Sequence, residues 1–242
     1  MEKFVSCRSK DPARRELYIV EGDSAMTSVK LGRDSEFQAI IPVRGKTLNC
    51  LKADYDRIFK SEIITDLLKV IGCGVEVTGK HRDQSIFDLS QLKWSKIIIC
   101  TDADEDGFQI RTLLLTLFYR LLPTLIKEGR IYIAESPLYE INPAKGETEY
   151  AYNEFDKAEI TKRLESEGMK YTLQRSKGLG ENTAEMMSKT TMNPATRRLI
   201  RVTPADAAAT AHMFDIMLGD DLDGRKKFIA EHGHEYLKDA DL

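Results

Sequence analysis

Apolar positions along the first 134 residues fall into short blocks that alternate between two spacings. Leu17-Tyr18-Ile19-Val20 is a continuous apolar block and reads as a buried strand over residues 16–20. It stops at Glu21-Gly22-Asp23-Ser24, where Gly22 permits a tight turn and Ser24 is placed to cap a helix through about Gly32. Gln38 to Val43 is a second strand, ended by Pro42 and the Arg44-Gly45-Lys46 turn. From Asp54 to Ile71 the apolar residues Ile58, Phe59, Ile63, Leu67, Leu68 and Ile71 recur at helical spacing. Lys96 to Cys100 carries three isoleucines and forms a third strand, which runs straight into Thr101-Asp102-Ala103-Asp104-Glu105-Asp106-Gly107. A long helix is expected from about Phe108 to Lys127, kinked at Pro123, and a fourth strand over Arg130 to Ala134.

Strand and helix alternating with short connections predict an α/β fold: an open parallel sheet flanked by helices. The rhythm changes after Pro137. Tyr139–Ile141 and Glu149–Tyr152 are spaced as a hairpin, and the rest reads as short helical pieces, with Pro194 and Pro204 at helix starts. The expected organisation is an N-terminal lead-in over 1–13, an α/β domain over 14–140 and a mostly helical tail over 141–242.

Composition narrows the class. The 242 residues are 42% hydrophobic and 31% charged, as in a soluble globular protein, and no apolar run approaches the roughly 18 residues that span a membrane. Met1 to Lys10 is polar and lacks the apolar stretch of a signal peptide. Cys7, Cys50, Cys73 and Cys100 form no C-x-x-C pair and read as reduced thiols in a cytoplasm. The formal net charge of −3 hides a polarity: Lys170 to Arg201 carries seven basic residues against Glu181 and Glu185, whereas Val202 to Leu242 carries nine acids against four bases. A basic strip on a mildly acidic protein is either a phosphate-facing surface or a solvated face.

The informative residues stand where strands end. Glu21 closes the first strand, and Asp102, Asp104 and Asp106 follow the third. In extended chain, residues two apart point the same way, so the three aspartates are expected on one side. In an open α/β sheet the carboxyl ends of the strands form the ligand crevice. At ~5 Å and an effective dielectric of ~20, each carboxylate pair repels by roughly 3 kcal/mol, which protons or a cation must relieve. All-oxygen donors suit a hard ion such as Mg²⁺, completed by water and phosphate, whereas the histidines and cysteines show no zinc spacing. The bland alternative is a solvated acidic loop after a buried strand. An EF-hand match from Asp102 fails because its twelfth position is Leu113. The G-x₄-G-K match over Gly74–Lys80 fails because His81 replaces Ser/Thr, and Gly178-Leu179-Gly180 completes no dinucleotide fingerprint.

Several segments, in order, resemble the TOPRIM domain and tail of type IIA DNA topoisomerase B-type subunits, that is, bacterial gyrase B and topoisomerase IV ParE. They are Tyr18-Ile19-Val20-Glu21-Gly22-Asp23-Ser24-Ala25, Ile41-Pro42-Val43-Arg44-Gly45-Lys46-Thr47-Leu48-Asn49, Thr101 to Gly107, Ile110 to Leu114 and Lys177-Gly178-Leu179-Gly180-Glu181. Arg197 to Val202 and Met217 to Asp220 are similar to the same subunit's tail. The resemblance runs from about residue 14 to 242. It implies a Rossmann-like TOPRIM sheet over 14–140, and a tail with DNA- and partner-facing surfaces.

The roles it implies follow the matching positions. Glu21 is the general acid/base toward the leaving ribose oxygen and, with Asp102, Asp104 and Asp106, a Mg²⁺ ligand, Mn²⁺ or Ca²⁺ being able to substitute. Arg44, Lys46, Arg111 and Lys177 contact duplex DNA. The nucleophilic tyrosine belongs to a gyrase A/ParC-type partner in an A₂B₂ assembly, ATP belongs to a preceding domain, and the chain reads as an excised C-terminal part of its subunit. Met26-Thr27-Ser28, Glu105, Gly107-Phe108-Gln109 and Ser176 depart from the family pattern and point to a divergent paralogue. Two other classes compete: another TOPRIM enzyme, such as a primase or an OLD-type nuclease, and a non-catalytic metal- or DNA-binding module.

Overall fold

The computed structural model describes residues 3–77, 86–176, 178–204 and 207–239. In chain order the first half holds β1 (Glu16–Glu21), α1 (Gly22–Gly32), β2 (Gln38–Val43), α2 (Tyr55–Lys60), α3 (Glu62–Ile71), β3 (Lys96–Cys100), α4 (Glu105–Leu121), α5 (Pro123–Lys127) and β4 (Ile131–Glu135). The second half holds β5 (Tyr139–Pro143), β6 (Glu149–Ala151), α6 (Glu154–Ser166), β7 (Tyr171–Arg175), α7 (Ala184–Lys189), β8 (Arg198–Arg201), α8 (Ala207–Leu218) and α9 (Leu222–His232).

The main sheet has the order β2-β1-β3-β4-β8. Its first four strands are parallel and β8 joins β4 antiparallel. Both faces are covered, as a parallel sheet requires, and the period of two sorts the residues. Leu17, Ile19, Ala39, Ile41, Ile97, Ile99 and Ile131 pack with apolar residues of α2 to α5. Tyr18, Val20, Ile40, Ile98, Cys100 and Ala134 face the other way, against Ala25 and Val29 of α1 and Leu179, Met187 and Met192 of the tail. The tail therefore supplies part of the cover on the second face. A small antiparallel sheet, β6-β5-β7, packs with α6 around Tyr139, Ile141, Ala151 and Leu164.

A buried polar knot fastens the tail to the start of β1. Arg197 forks onto Glu16 (2.5 and 2.6 Å) and donates to the Tyr18 hydroxyl (2.9 Å). Tyr18 donates to the Thr191 carbonyl, and Gln38 donates to Glu16 and to the Met192 carbonyl. Burial alone would push the Glu16 carboxyl up, but the bonds and charge of Arg197, with Gln38 and Lys96, hold it below the usual carboxylate range.

The parallel sheet and its strands agree with the sequence-based expectation, and several boundaries differ. The expected helix over 54–71 is two helices, because the chain turns through Ser61 in extended conformation and restarts at Glu62. The helix expected from Phe108 begins at Glu105, since Asp104 caps it by accepting the Gly107 N–H (2.7 Å). At Pro123 it breaks rather than kinks, and Pro123 opens α5. Ser24 lies inside α1 instead of capping it: Gly22 takes a left-handed φ of 71°, so the helix starts directly at the end of β1. Pro194 sits in a turn, and the following residues form β8, not a helix. Of the rejected phosphate-loop match, residues 78–81 lie outside the described residues, as do the two residues before α8 that follow Pro204. All four cysteines are buried and free, and among the described residues no helix is long and apolar enough to cross a membrane.

Candidate functional site

β1 and β3 are neighbours in the sheet, with Val20 opposite Cys100, so the chain segments bearing Glu21 and Asp102 leave the sheet side by side. Glu21 Oε2 accepts the backbone N–H of Asp102 at 3.1 Å. Asp102 Oδ1 in turn accepts the N–H of Leu179 at 2.7 Å, a contact from the tail. Asp104 Oδ1 caps α4, and Asp106 lies in the first turn of that helix. The three aspartates therefore do not share one extended chain. Asp102 and Asp104 stand in the connection, and Asp106 is an exposed helical residue paired with Lys46 (2.9 Å).

Electrostatics mark the pair at the strand ends. Burial pushes the Glu21 carboxyl up; the Asp102 N–H opposes this, and the charges of Asp102, Asp104 and Asp106 add to it. Asp102 is also pushed up, by burial first and then by Asp104 and Glu181, with the Leu179 N–H pulling the other way. Burial and neighbouring carboxylates both raise a carboxyl, and a hard divalent ion on all-oxygen donors relieves that cost. The donor chemistry of Glu21, Asp102 and Asp104 thus fits Mg²⁺. As the side chains stand, no three acidic, histidine or cysteine groups among the described residues are drawn together closely enough to hold an ion.

The basic candidates are spread around this edge. Arg44 is exposed and 3.4 Å from Asp23, which also pairs with Lys3. Lys46 is half-exposed and tied to Asp106. Arg111 is different: it lies on α4 with its guanidinium 5.0 Å from the Phe108 ring centre, and its buried Nε has no hydrogen-bond partner. Burial pushes its pKa down, opposed by the neighbouring Cys100, Glu135 and Glu21 side chains. It forms no ion pair with an aspartate among the described residues. Lys177 lies outside the described residues. Sequence reasoning missed the part played by Leu179, since a backbone N–H leaves no trace in side-chain chemistry; only the glycines on either side hint at close approach.

The Toprim domain family matches residues 16–136, half of the chain, and the family described as DNA gyrase B subunit, carboxyl terminus, matches residues 168–230. The DNA gyrase B subunit of Thermotoga maritima is 45% identical over 240 residues, which is 99% of this chain and 36% of that protein. The DNA topoisomerase 4 B subunit of Streptococcus pneumoniae is 44% identical over 233 residues, 95% of this chain and 34% of that protein. The DNA gyrase B subunit of Mycolicibacterium smegmatis is 41% identical over 237 residues, 96% of this chain and 34% of that protein. The chain thus spans about a third of the length of these relatives. Through residues 16–136, which carry β1 to β4, the chain belongs to the Toprim domain family, and residues 168–230 of its tail match the carboxyl-terminal family of the DNA gyrase B subunit.

Proposed function

We propose that this chain is the metal- and DNA-binding part of an ATP-dependent type IIA DNA topoisomerase, and that it assists double-strand cleavage and religation by the tyrosine of a gyrase A/ParC-type partner in an A₂B₂ assembly. The observation that carries the reading is the bond from the Asp102 N–H to Glu21 Oε2, which brings acids from two neighbouring strands to one edge of the sheet. Glu21, Asp102 and Asp104 are the residues that would hold Mg²⁺, with Asp106 beside them. A bound divalent ion supplies Lewis-acid stabilisation of the scissile phosphate and the leaving oxygen.

This chain's own residues do the rest. Glu21, whose carboxyl is raised, gives a proton to the ribose oxygen leaving on cleavage and takes it back on religation, the two directions of one general acid/base. Arg44 and Lys46 extend basic groups along the strand-end edge, where phosphates of duplex DNA exchange for Asp23 and Asp106 as their partners. Lys177, which precedes Gly178 in the sequence, adds a further phosphate contact. Arg111, on α4 with its guanidinium over the Phe108 ring, adds positive charge near the same edge. ATP hydrolysis belongs to another segment of the full subunit, and the setting is the cytoplasm.

Reconstitution tests the reading. A full-length subunit carrying these residues, mixed with an A-type partner and Mg²⁺, should cleave and rejoin duplex DNA. Glu21→Gln or Asp102→Asn should lower cleavage by at least ~10²-fold, the weight of a general acid/base, with the fold retained. Normal cleavage by both variants ends the proposal.

A further inference from the structure

Three carboxylates at the sheet edge each give one oxygen to a backbone N–H. Glu21 Oε2 accepts from Asp102, Asp104 Oδ1 from Gly107, and Asp102 Oδ1 from Leu179. Two of these donors belong to the connection between β3 and α4 and the first turn of that helix. The third arrives from the tail, 77 residues further along the chain.

The loop that delivers it is built tightly. Gly178 has φ −169° and ψ 163°, extended backbone that any residue adopts, so conformation is not what glycine supplies here. It supplies space: a Cβ at position 178 would stand 2.7 Å from Asp102 Oδ2 and 3.1 Å from its Cγ. The loop is anchored on both sides. Leu179 is buried in the apolar layer with Tyr18, Val20 and Cys100. The side chains of Ser176 and Asn182 bond each other, and Asn182 donates to Met187 Sδ at 3.6 Å.

We propose that the Gly178–Leu179 peptide is the positioning element of Asp102. The Leu179 N–H fixes Oδ1, and the bare Cα of Gly178 leaves Oδ2 free for a divalent cation. Outer partners of this kind set the orientation of a ligating carboxylate. The tail thus sets the rotamer of an acid carried by the main sheet, and the metal site is completed across the two halves of the chain. This inference rests on the divalent-cation reading of the acids.

The test is Mn²⁺ binding to the 242-residue chain, followed by calorimetry, alongside melting without metal. Wild type, Gly178→Ala, Asp102→Asn and the double variant are compared. Gly178→Ala should melt like wild type in chelator yet bind Mn²⁺ about 10-fold more weakly, at the low end for outer-partner changes. In the Asp102→Asn background the same change should cost nothing further, because it acts only through that carboxylate. Unchanged Mn²⁺ affinity in Gly178→Ala, or losses that multiply in the double variant, would overturn the positioning role. If wild type itself binds no Mn²⁺, the cation reading falls. The positioning role is then read from the Leu179 amide proton, which should move upfield in metal-free Asp102→Asn; an unmoved resonance rejects it independently.

Discussion

β1 begins and ends with a glutamate, and the two ends have opposite surroundings. Glu16 is buried but answered from three sides, by Arg197, Gln38 and Lys96, and its carboxyl is held low. Glu21, five residues on, meets the aspartates and accepts the Asp102 N–H, with Arg111 near it only as a charge, and its carboxyl is raised. One strand thus carries a carboxylate bonded to a cation within the fold and another that no basic side chain bonds among the described residues. The difference separates a structural acid from a candidate functional one without reference to any relative, because a fold seeking only stability would have answered both.

The largest effect that bears on this contrast is at the structural end. Arg197→Ala leaves Glu16 buried with weaker partners and should cost about 3 kcal/mol in urea denaturation at pH 7, the lower range for breaking a buried pair. A loss under ~1 kcal/mol would erase the distinction. Next comes the cation: at 100 times its dissociation constant, Mg²⁺ should stabilise wild type by about 2.7 kcal/mol, read as a rise in melting temperature, and Asp102→Asn should lose most of that rise.

A smaller effect tests the sign of the charges. In chelator, Glu21→Gln should be more stable than wild type at pH 7, by less than ~1 kcal/mol because solvent screens the site. A raised carboxyl binds protons more readily folded than unfolded, so its cost is relieved as pH falls through the folded value, which lies above 4.5. The advantage of Glu21→Gln should shrink over that window. Glu16 runs the other way: its contribution is present above 4.5 and fades as pH falls through its lowered value. Parallel pH profiles for the two sites would contradict the contrast. The smallest effect is at Lys46, whose pair with Asp106 is exposed. Lys46→Ala should shift stability by no more than ~0.5 kcal/mol, yet flatten the salt dependence of DNA binding by about one phosphate contact.

The main sheet is largely legible in the sequence because each parallel strand is buried on both faces and reads as an unbroken apolar block. β8 escapes that logic. Arg198-Leu199-Ile200-Arg201 sits on an edge, mostly exposed, and its place is decided by the open side of β4, not by its own pattern. The break at Ser61 is a single extended residue and the early start of α4 is a cap effect; both shift boundaries without altering periodicity. At the site, Glu21 and Asp102 are legible because strand ends converge in this architecture. Extended-chain alternation misleads for Asp106, because Asp104 starts a helix beneath it.

The antiparallel closure of the main sheet by β8 has a consequence for synthesis. β4 is complete once residue 135 has emerged, but its outer hydrogen-bonding edge waits for residues 198–201. Until then a nascent chain presents an unsatisfied strand flank, a template for pairing with another copy. Arg197, immediately before β8, finds Glu16 across 181 positions of sequence, so closure of this fold is a late, long-range event in synthesis.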